Sequence, residues 1–165
     1  MSELRIAGTV EESVVDGPGF RYVIFTQGCP HHCEGCHNPQ THAFEGGTVT
    51  DTQELLEHIT QNPFLDGVTF SGGEPFCQPA ALAELARGLH RRGMTVMTYS
   101  GYTYEQLCAS EDKAVHDLLE QTDILVDGRF VLAQRDMTLR FRGSTNQRLI
   151  DLARTREQGE IVPYE

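Results

Sequence analysis

Apolar positions along this chain come in short β-branched or aromatic runs, separated by stretches where they recur at helical spacing. Tyr22-Val23-Ile24-Phe25 is the first such run and predicts a strand. Thr50 and Gln53 form a capping-box pattern ahead of Leu55, Leu56 and Ile59, which predicts a helix start. Gly67-Val68-Thr69-Phe70 predicts a second strand, closed by Gly72-Gly73. Pro79 suits a first helical position, and Leu82, Leu85, Ala86 and Leu89 keep helical spacing up to Gly93, a natural helix stop. Thr95-Val96-Met97-Thr98 predicts a third strand, ending at Ser100-Gly101. Ala114, Val115, Leu118 and Leu119 then mark a helix before a fourth strand, Ile124-Leu125-Val126-Asp127.

Strands alternating with helices of about a dozen residues imply βαβ units around a parallel sheet. A closed eight-fold barrel needs roughly 250 residues, and this chain has 165. The expected fold is therefore α/β: a partial (open) β/α barrel, its parallel sheet covered by helices on the outside. No internal repeat, low-complexity tract or Pro- or Ser-rich linker divides the chain, so a single domain over 1–165 is expected.

Composition narrows the class. Apolar residues make up 39% and charged residues 22%, the balance of a globular chain rather than a disordered one. The net charge of −11 argues against a general nucleic-acid binder, which needs clustered Lys and Arg. Arg91-Arg92 is the one adjacent basic pair, and it reads as helix-end charge. No apolar run approaches the roughly 18–20 residues of a membrane span, and Met1 to Arg5 lacks a basic start and hydrophobic stretch. A cytoplasmic location follows as the expectation, with neither membrane nor nucleic acid as partner. Five cysteines, an odd number, make a poor disulfide framework and point to metal binding or chemistry.

The unusual residues collect at strand ends. Gly28-Cys29 follows the first strand, Ser71-Gly72-Gly73-Glu74 the second, Ser100-Gly101 the third and Asp127-Gly128 the fourth. In parallel α/β folds ligand sites gather at the carboxyl ends of strands, so four such loops on one rim describe one site. Cys29-Pro30-His31-His32-Cys33-Glu34-Gly35-Cys36 places three thiols within a single loop. Three thiolates with His37, His31, His32 or a distant cysteine suffice for structural zinc. A cubane held by three cysteines instead leaves one iron open for a substrate.

A CxxxCxxC loop after a strand, followed one β/α unit later by Ser71-Gly72-Gly73-Glu74-Pro75, resembles the radical S-adenosylmethionine (SAM) superfamily. Asp16-Gly17-Pro18-Gly19-Phe20-Arg21, Gly28-Cys29-Pro30 and Cys36-His37-Asn38-Pro39 are similar to segments of the glycyl-radical-enzyme activases. Leu125-Val126-Asp127-Gly128-Arg129-Phe130 and Arg142-Gly143-Ser144-Thr145-Asn146-Gln147-Arg148 resemble the branch that activates anaerobic ribonucleoside-triphosphate reductase. The short chain fits that branch as well. The resemblance covers a core of about 8–150 and leaves 151–165 as a C-terminal tail with no readable signal.

The resemblance implies that Cys29, Cys33 and Cys36 hold a 4Fe–4S cluster whose fourth iron is chelated by SAM. Reductive cleavage then gives methionine and a 5′-deoxyadenosyl radical, which takes a Cα hydrogen from a glycine on the reductase large subunit. A one-electron donor such as flavodoxin is implied, with no catalytic side chain beyond cluster and SAM. By the same resemblance Gly72, Gly73 and Glu74 meet the methionine amino group. Thr98, Tyr99 and Ser100 lie at the methionyl or ribose portion, Asp127 at a ribose hydroxyl or a cation, and the backbone of Gly35, Cys36 and His37 at the adenine. The superfamily usually has an aromatic residue before the third cysteine, where this chain has Gly35.

Other residues carry plainer readings. His31 and His32 are expected as loop residues, solvated or facing a partner, and His58, His90 and His116 as helix-surface residues. Cys77 is expected as a small buried hydrophobe, and Asp16–Arg21 as a turn shaping the mouth of the site. Two alternatives stay open: an activase of pyruvate formate-lyase or another small radical SAM enzyme and, in a different class, a non-catalytic zinc-binding interaction module.

Overall fold

The computed structural model describes residues 2–165. In chain order the strands are β1 (Glu3–Ser13), β2 (Arg21–Thr26), β3 (Thr48–Asp51), β4 (Gly67–Gly72), β5 (Thr95–Tyr99), β6 (Ile124–Asp127) and β7 (Arg148–Asp151). The helices are α1 (Thr52–Thr60), α2 (Pro79–His90), α3 (Tyr104–Cys108), α4 (Lys113–Gln121) and α5 (Leu152–Gln158). All seven strands form one sheet in the order β3-β1-β2-β4-β5-β6-β7. The four strands expected from the sequence are its parallel centre. The edges differ from the expected all-parallel sheet: β1, β3 and β7 are antiparallel additions. β3 and β7 are only four residues long, and β1, whose Leu4, Ile6 and Val10 alternate, has no continuous apolar run and is largely exposed, so none carries the strong apolar signal of the central strands.

Strand register sorts side chains onto two faces. Ile24, Phe70, Thr98 and Leu125 pair in one row across the sheet. The apolar members of that row pack in the main core with Leu55, Ile59, Leu82, Leu85, Leu89 and Leu118 from the helices. The neighbouring row, Val23, Thr69, Met97 and Ile124, projects to the opposite face. There Met97, Ile124, Val126 and Leu149 form a smaller apolar cluster joined by Tyr99, Phe141 and Tyr164. The packed helices thus cover one face of the sheet and leave the other to loops.

Helix ends are fixed locally. α1 is capped by Asp51, whose carboxylate accepts from the Gln53 amide at 2.7 Å, so the cap falls one residue after the expected Thr50. Pro79 does begin α2. Residues expected as a patternless tail include α5, capped by Asp151 and ended by Gly159 in the left-handed region (φ 74°). Among the described residues no helix is long and apolar enough to cross a membrane.

The segment Asp16–Arg21 has a specific structural task. The Arg21 side chain is 1% exposed and lies across the starts of β4 and β5. It donates to Thr69 Oγ1 (2.8 Å), Val68 O (2.9 Å), Thr95 O (3.1 Å), Thr95 Oγ1 (3.0 Å) and Pro18 O (3.1 Å). Burial pulls its pKa down to about 10. A side chain at Gly17 (φ 146°) would collide with Arg21 Cδ at 2.6 Å, so the glycine lets the turn close over the guanidinium. Replacing Arg21 by Leu strands three carbonyl acceptors, and is expected to lower unfolding free energy by about 3 kcal/mol in denaturant titrations of the apoprotein.

Candidate active site

The chain leaves β2 through Gln27, a buried residue whose amide donates to Gln40 O (3.1 Å) and Ala43 O (2.6 Å). The Gly28 amide donates to Thr41 O (2.7 Å) and the Cys29 amide to His42 O (3.1 Å). These bonds close residues 29–42 into a loop over the end of the strand. Cys29 is buried, and Cys33 and Cys36 are half-buried. All three line one cavity of about 500 Å³, a volume typical of small-molecule sites. Gly72 and Gly73, Ser100 and Gly101, and Gly128 to Phe130 line the same cavity. The four loops expected on one rim do meet. Burial pushes the Cys29 and Cys33 thiols up; Arg129 and a Phe130 backbone hydrogen bond partly oppose this at Cys33.

Glu74 ties three of these loops together. Its side chain is wholly buried. The carboxylate accepts from His31 Nε2 (2.6 Å), Ser100 Oγ (2.9 Å), the Gly101 amide (2.7 Å) and the Phe76 amide (3.0 Å). Both oxygens are therefore engaged by protein donors, behind the cavity wall rather than at a bound methionine amino group. His31, expected as a solvated loop residue, has a side chain 3% exposed and stacks edge-on against Tyr102 at 4.6 Å. Since a carboxylate only accepts, its Nε2 carries the proton, leaving Nδ1 unpaired.

The glycines beside Glu74 are needed by chain packing. A Cβ at Gly73 would press into the Gly28 carbonyl, and one at Gly72 (φ 92°) would sit 2.5 Å from the Thr26 amide nitrogen. The Gly73 amide donates to Thr26 O and the Glu74 amide to Gly28 O, each at 2.8 Å. The glycine pair and the cysteine loop are thus held backbone to backbone.

Two further expected contacts fall on the wrong face. Thr98 belongs to the helix-facing row, where its hydroxyl meets Thr122 Oγ1 at 2.9 Å. Tyr99, one residue on, faces the cavity. Asp127 is likewise turned away. It receives the Tyr104 amide (2.7 Å) and pairs with Arg148, which also reaches Glu105. Those two carboxylates raise the Arg148 pKa. Both residues stand at the expected strand ends, but the two-residue period of the strand turns their side chains to the helix-covered face. Gly35 (φ 75°) lies outside the cavity lining, under Leu132 and Phe130. His37 lines the cavity with its ring 5.3 Å from Phe130. Phe130 thus supplies aromatic surface beside a position where the superfamily has an aromatic and this chain has glycine. Cys77 is exposed rather than buried.

Three buried nitrogens on the cavity walls have no protein partner: His31 Nδ1, His42 Nε2 and Arg142 Nε. Buried polar atoms are seldom unpaired, so these mark a cavity built for a polar occupant. His42 carried no signal in sequence, being a lone histidine beyond the motif. Among the described residues no three His, Cys, Asp or Glu side chains converge closely enough for a single metal ion. Three thiols lining one cavity are the donor set of a three-cysteine iron–sulfur cluster, and the unpaired nitrogens beside them suit a polar ligand.

A family profile described as a 4Fe-4S single cluster domain matches residues 15–150. The anaerobic ribonucleoside-triphosphate reductase-activating protein of Haemophilus influenzae is 32% identical over 81% of this chain and 89% of its own length. That of Escherichia coli K12 is 31% identical, over 81% and 90%. The chain belongs to the radical SAM family of 4Fe–4S activating enzymes. The pyruvate formate-lyase-activating enzyme of Clostridium pasteurianum is 36% identical over 72% of this chain, which spans 54% of that relative. A crystal structure of QueE from Escherichia coli aligns with a TM-score of 0.49 at 20% identity, over 61% of this chain and 54% of that one.

In this activating enzyme the cysteine loop depends on contact with Gly73, which gives a direct test. Gly73→Ala is expected to displace the Gly28 carbonyl and destabilise the apoprotein by about 2 kcal/mol. Iron bound per chain after anaerobic reconstitution is expected to fall with it, as read by iron and sulfide assay.

Proposed function

We propose that this chain cleaves SAM reductively at a 4Fe–4S cluster held by Cys29, Cys33 and Cys36, and places a glycyl radical on anaerobic ribonucleoside-triphosphate reductase. One observation carries the reading: the three thiols and the Gly72-Gly73 loop wall the same cavity, at the carboxyl ends of the parallel strands. A cluster held by Cys29, Cys33 and Cys36 would supply the electron for reductive cleavage of SAM, and SAM the radical that takes the glycine hydrogen.

The chain's own residues bind and orient. Gly72 and Gly73 present backbone to the methionyl end of SAM, with Ser100 and Gly101 beside them. Cys36 and His37 border the adenine side together with Phe130. Glu74 acts on SAM indirectly, by fixing His31 and the Ser100–Gly101 turn. Thr98 and Asp127 act through the sheet and α3. Tyr99 and Phe141, packed against the buried Met97, give the cavity wall an apolar surface that limits water around a reactive radical. The single domain then reads as a partial β/α barrel of the radical SAM type. A one-electron donor of the flavodoxin kind serves it, without nucleic acid or membrane, in the cytoplasm.

The choice of target follows the reductase-activating relatives, which match along most of their own length. The chain covers 89% and 90% of two reductase-activating relatives but 54% and 58% of two pyruvate formate-lyase activases.

Anaerobic reconstitution followed by dithionite and SAM is expected to yield 5′-deoxyadenosine by chromatography. Cys29→Ala, Cys33→Ala and Cys36→Ala are expected to fall to background, while Cys77→Ala and Cys108→Ala stay within a few-fold of wild type. Full turnover in a Cys33→Ala protein that retains its iron would remove the ligand assignment. Electron paramagnetic resonance on mixtures with each candidate target is expected to show the glycyl doublet on the reductase; a doublet on pyruvate formate-lyase alone would reassign the target.

A further inference from the structure

Charge in this chain is segregated. Residues 129–148 contain five of the 13 basic residues and one of the 24 acidic ones, a net +4. The remainder holds eight basic against 23 acidic residues, a net −15. This positive segment is the connection between β6 and β7, and through Arg129, Phe130, Leu139, Phe141, Arg142 and Gly143 it forms one wall of the cavity.

Within it Arg148 is neutralised by Asp127 and Glu105. Among the described residues no ion pair within 4.0 Å involves Arg129, Arg135, Arg140 or Arg142. Arg135 and Arg140 are exposed. Their neighbours hold them without neutralising them: Arg135 Nη2 reaches Met137 Sδ at 3.7 Å, and the Arg140 guanidinium lies 4.6 Å over the Phe141 ring. Two large apolar side chains stand exposed on the same segment, Met137 at 84% and Leu132 at 41%. Val15, at 73%, lines the cavity from the turn before β2. Unpaired cations beside exposed apolar groups, on the segment that walls the cavity, have the composition of a protein-binding surface rather than of a solvated face.

We infer that this rim docks an acidic surface flanking the glycine loop of the target protein. The inference rests on the proposed activase reading, which requires a polypeptide glycine to reach the cavity. An acidic partner is repelled by a body of net −15 except where its carboxylates meet the rim, so the asymmetry selects one docking orientation. The cations contribute mainly to encounter and register, and their effect fades with salt.

The test uses the reconstituted holoprotein with Arg135→Glu and Arg140→Glu combined, and Arg135→Gln with Arg140→Gln as the milder pair. Dithionite is the reductant, so no protein donor is present. Partner-free 5′-deoxyadenosine formation is expected within about two-fold of wild type, and this also reports that the variants fold. Affinity for anaerobic ribonucleoside-triphosphate reductase is expected to weaken roughly tenfold at low salt for the Glu pair and less for the Gln pair. The difference from wild type is expected to close as salt is raised, with glycyl radical yield following affinity. Wild-type affinity and salt slope in the Glu pair overturn the inference while leaving the activase reading intact. A defect seen only when flavodoxin replaces dithionite assigns the rim to the electron donor and overturns it too. If wild type gives SAM cleavage but no glycyl radical on the reductase, the target reading fails and this inference falls with it.

Discussion

A carboxylate sealed from water must find its hydrogen-bond donors within the protein, and how Glu74 finds them organises the site. Leaving such a group unpaired costs several kcal/mol. Glu74 meets the need with donors from the cysteine loop (His31), the turn after β5 (Ser100 and Gly101) and its own turn (Phe76). Only Phe76 is a near neighbour in sequence; the other donors come from distant loops, and together they set the mutual position of three loops that share no sheet hydrogen bonds. Backbone contact between Gly73 and Gly28 completes the lock, because a side chain at Gly73 would press into the Gly28 carbonyl and hold the loops apart.

This explains why the cavity keeps its shape where the chain is irregular. The loop of three cysteines has little regular structure of its own. Its order comes from Gln27, from backbone bonds of Gly28 and Cys29 to residues 41 and 42, and from the His31–Glu74 contact. At the opposite ends of the strands Arg21 does a comparable task, holding the turn of Gly17 and Pro18 against β4 and β5. Between these two anchors the sheet offers a loop-covered face, while the other face is closed by helices. Binding chemistry and structural packing are therefore separated by the alternation of side chains along each strand.

That alternation also decides what was legible in the sequence. The four central strands, the helices α1, α2 and α4, and the meeting of four loops on one rim were readable, because apolar spacing and glycine-rich strand ends reflect strong local constraints. Strands β1, β3 and β7 were not: β3 and β7 are four-residue edge strands held by backbone pairing, and β1, though paired on both sides, is largely exposed. Thr98 and Asp127 were placed at the right heights on their strands and on the wrong face; extending the two-residue period from Met97 and Val126 identifies Tyr99 and leaves Asp127 behind. Glu74 was singled out by its motif, but its partner His31 was indistinguishable from an exposed loop histidine until the fold brought positions 43 residues apart to 2.6 Å. His42 and Arg142 emerge for the same reason: their unpaired nitrogens have meaning only once the cavity surrounds them.

The most direct test of this account is a crystal structure of the anaerobically reconstituted protein with SAM bound, read at Glu74. The account predicts its carboxylate still within hydrogen-bond distance of His31 Nε2, Ser100 Oγ and the Gly101 amide, with Cys29, Cys33 and Cys36 on three irons and SAM contacting the Gly72-Gly73 backbone. A Glu74 side chain turned into the cavity onto the SAM ammonium, with His31 released, would contradict it.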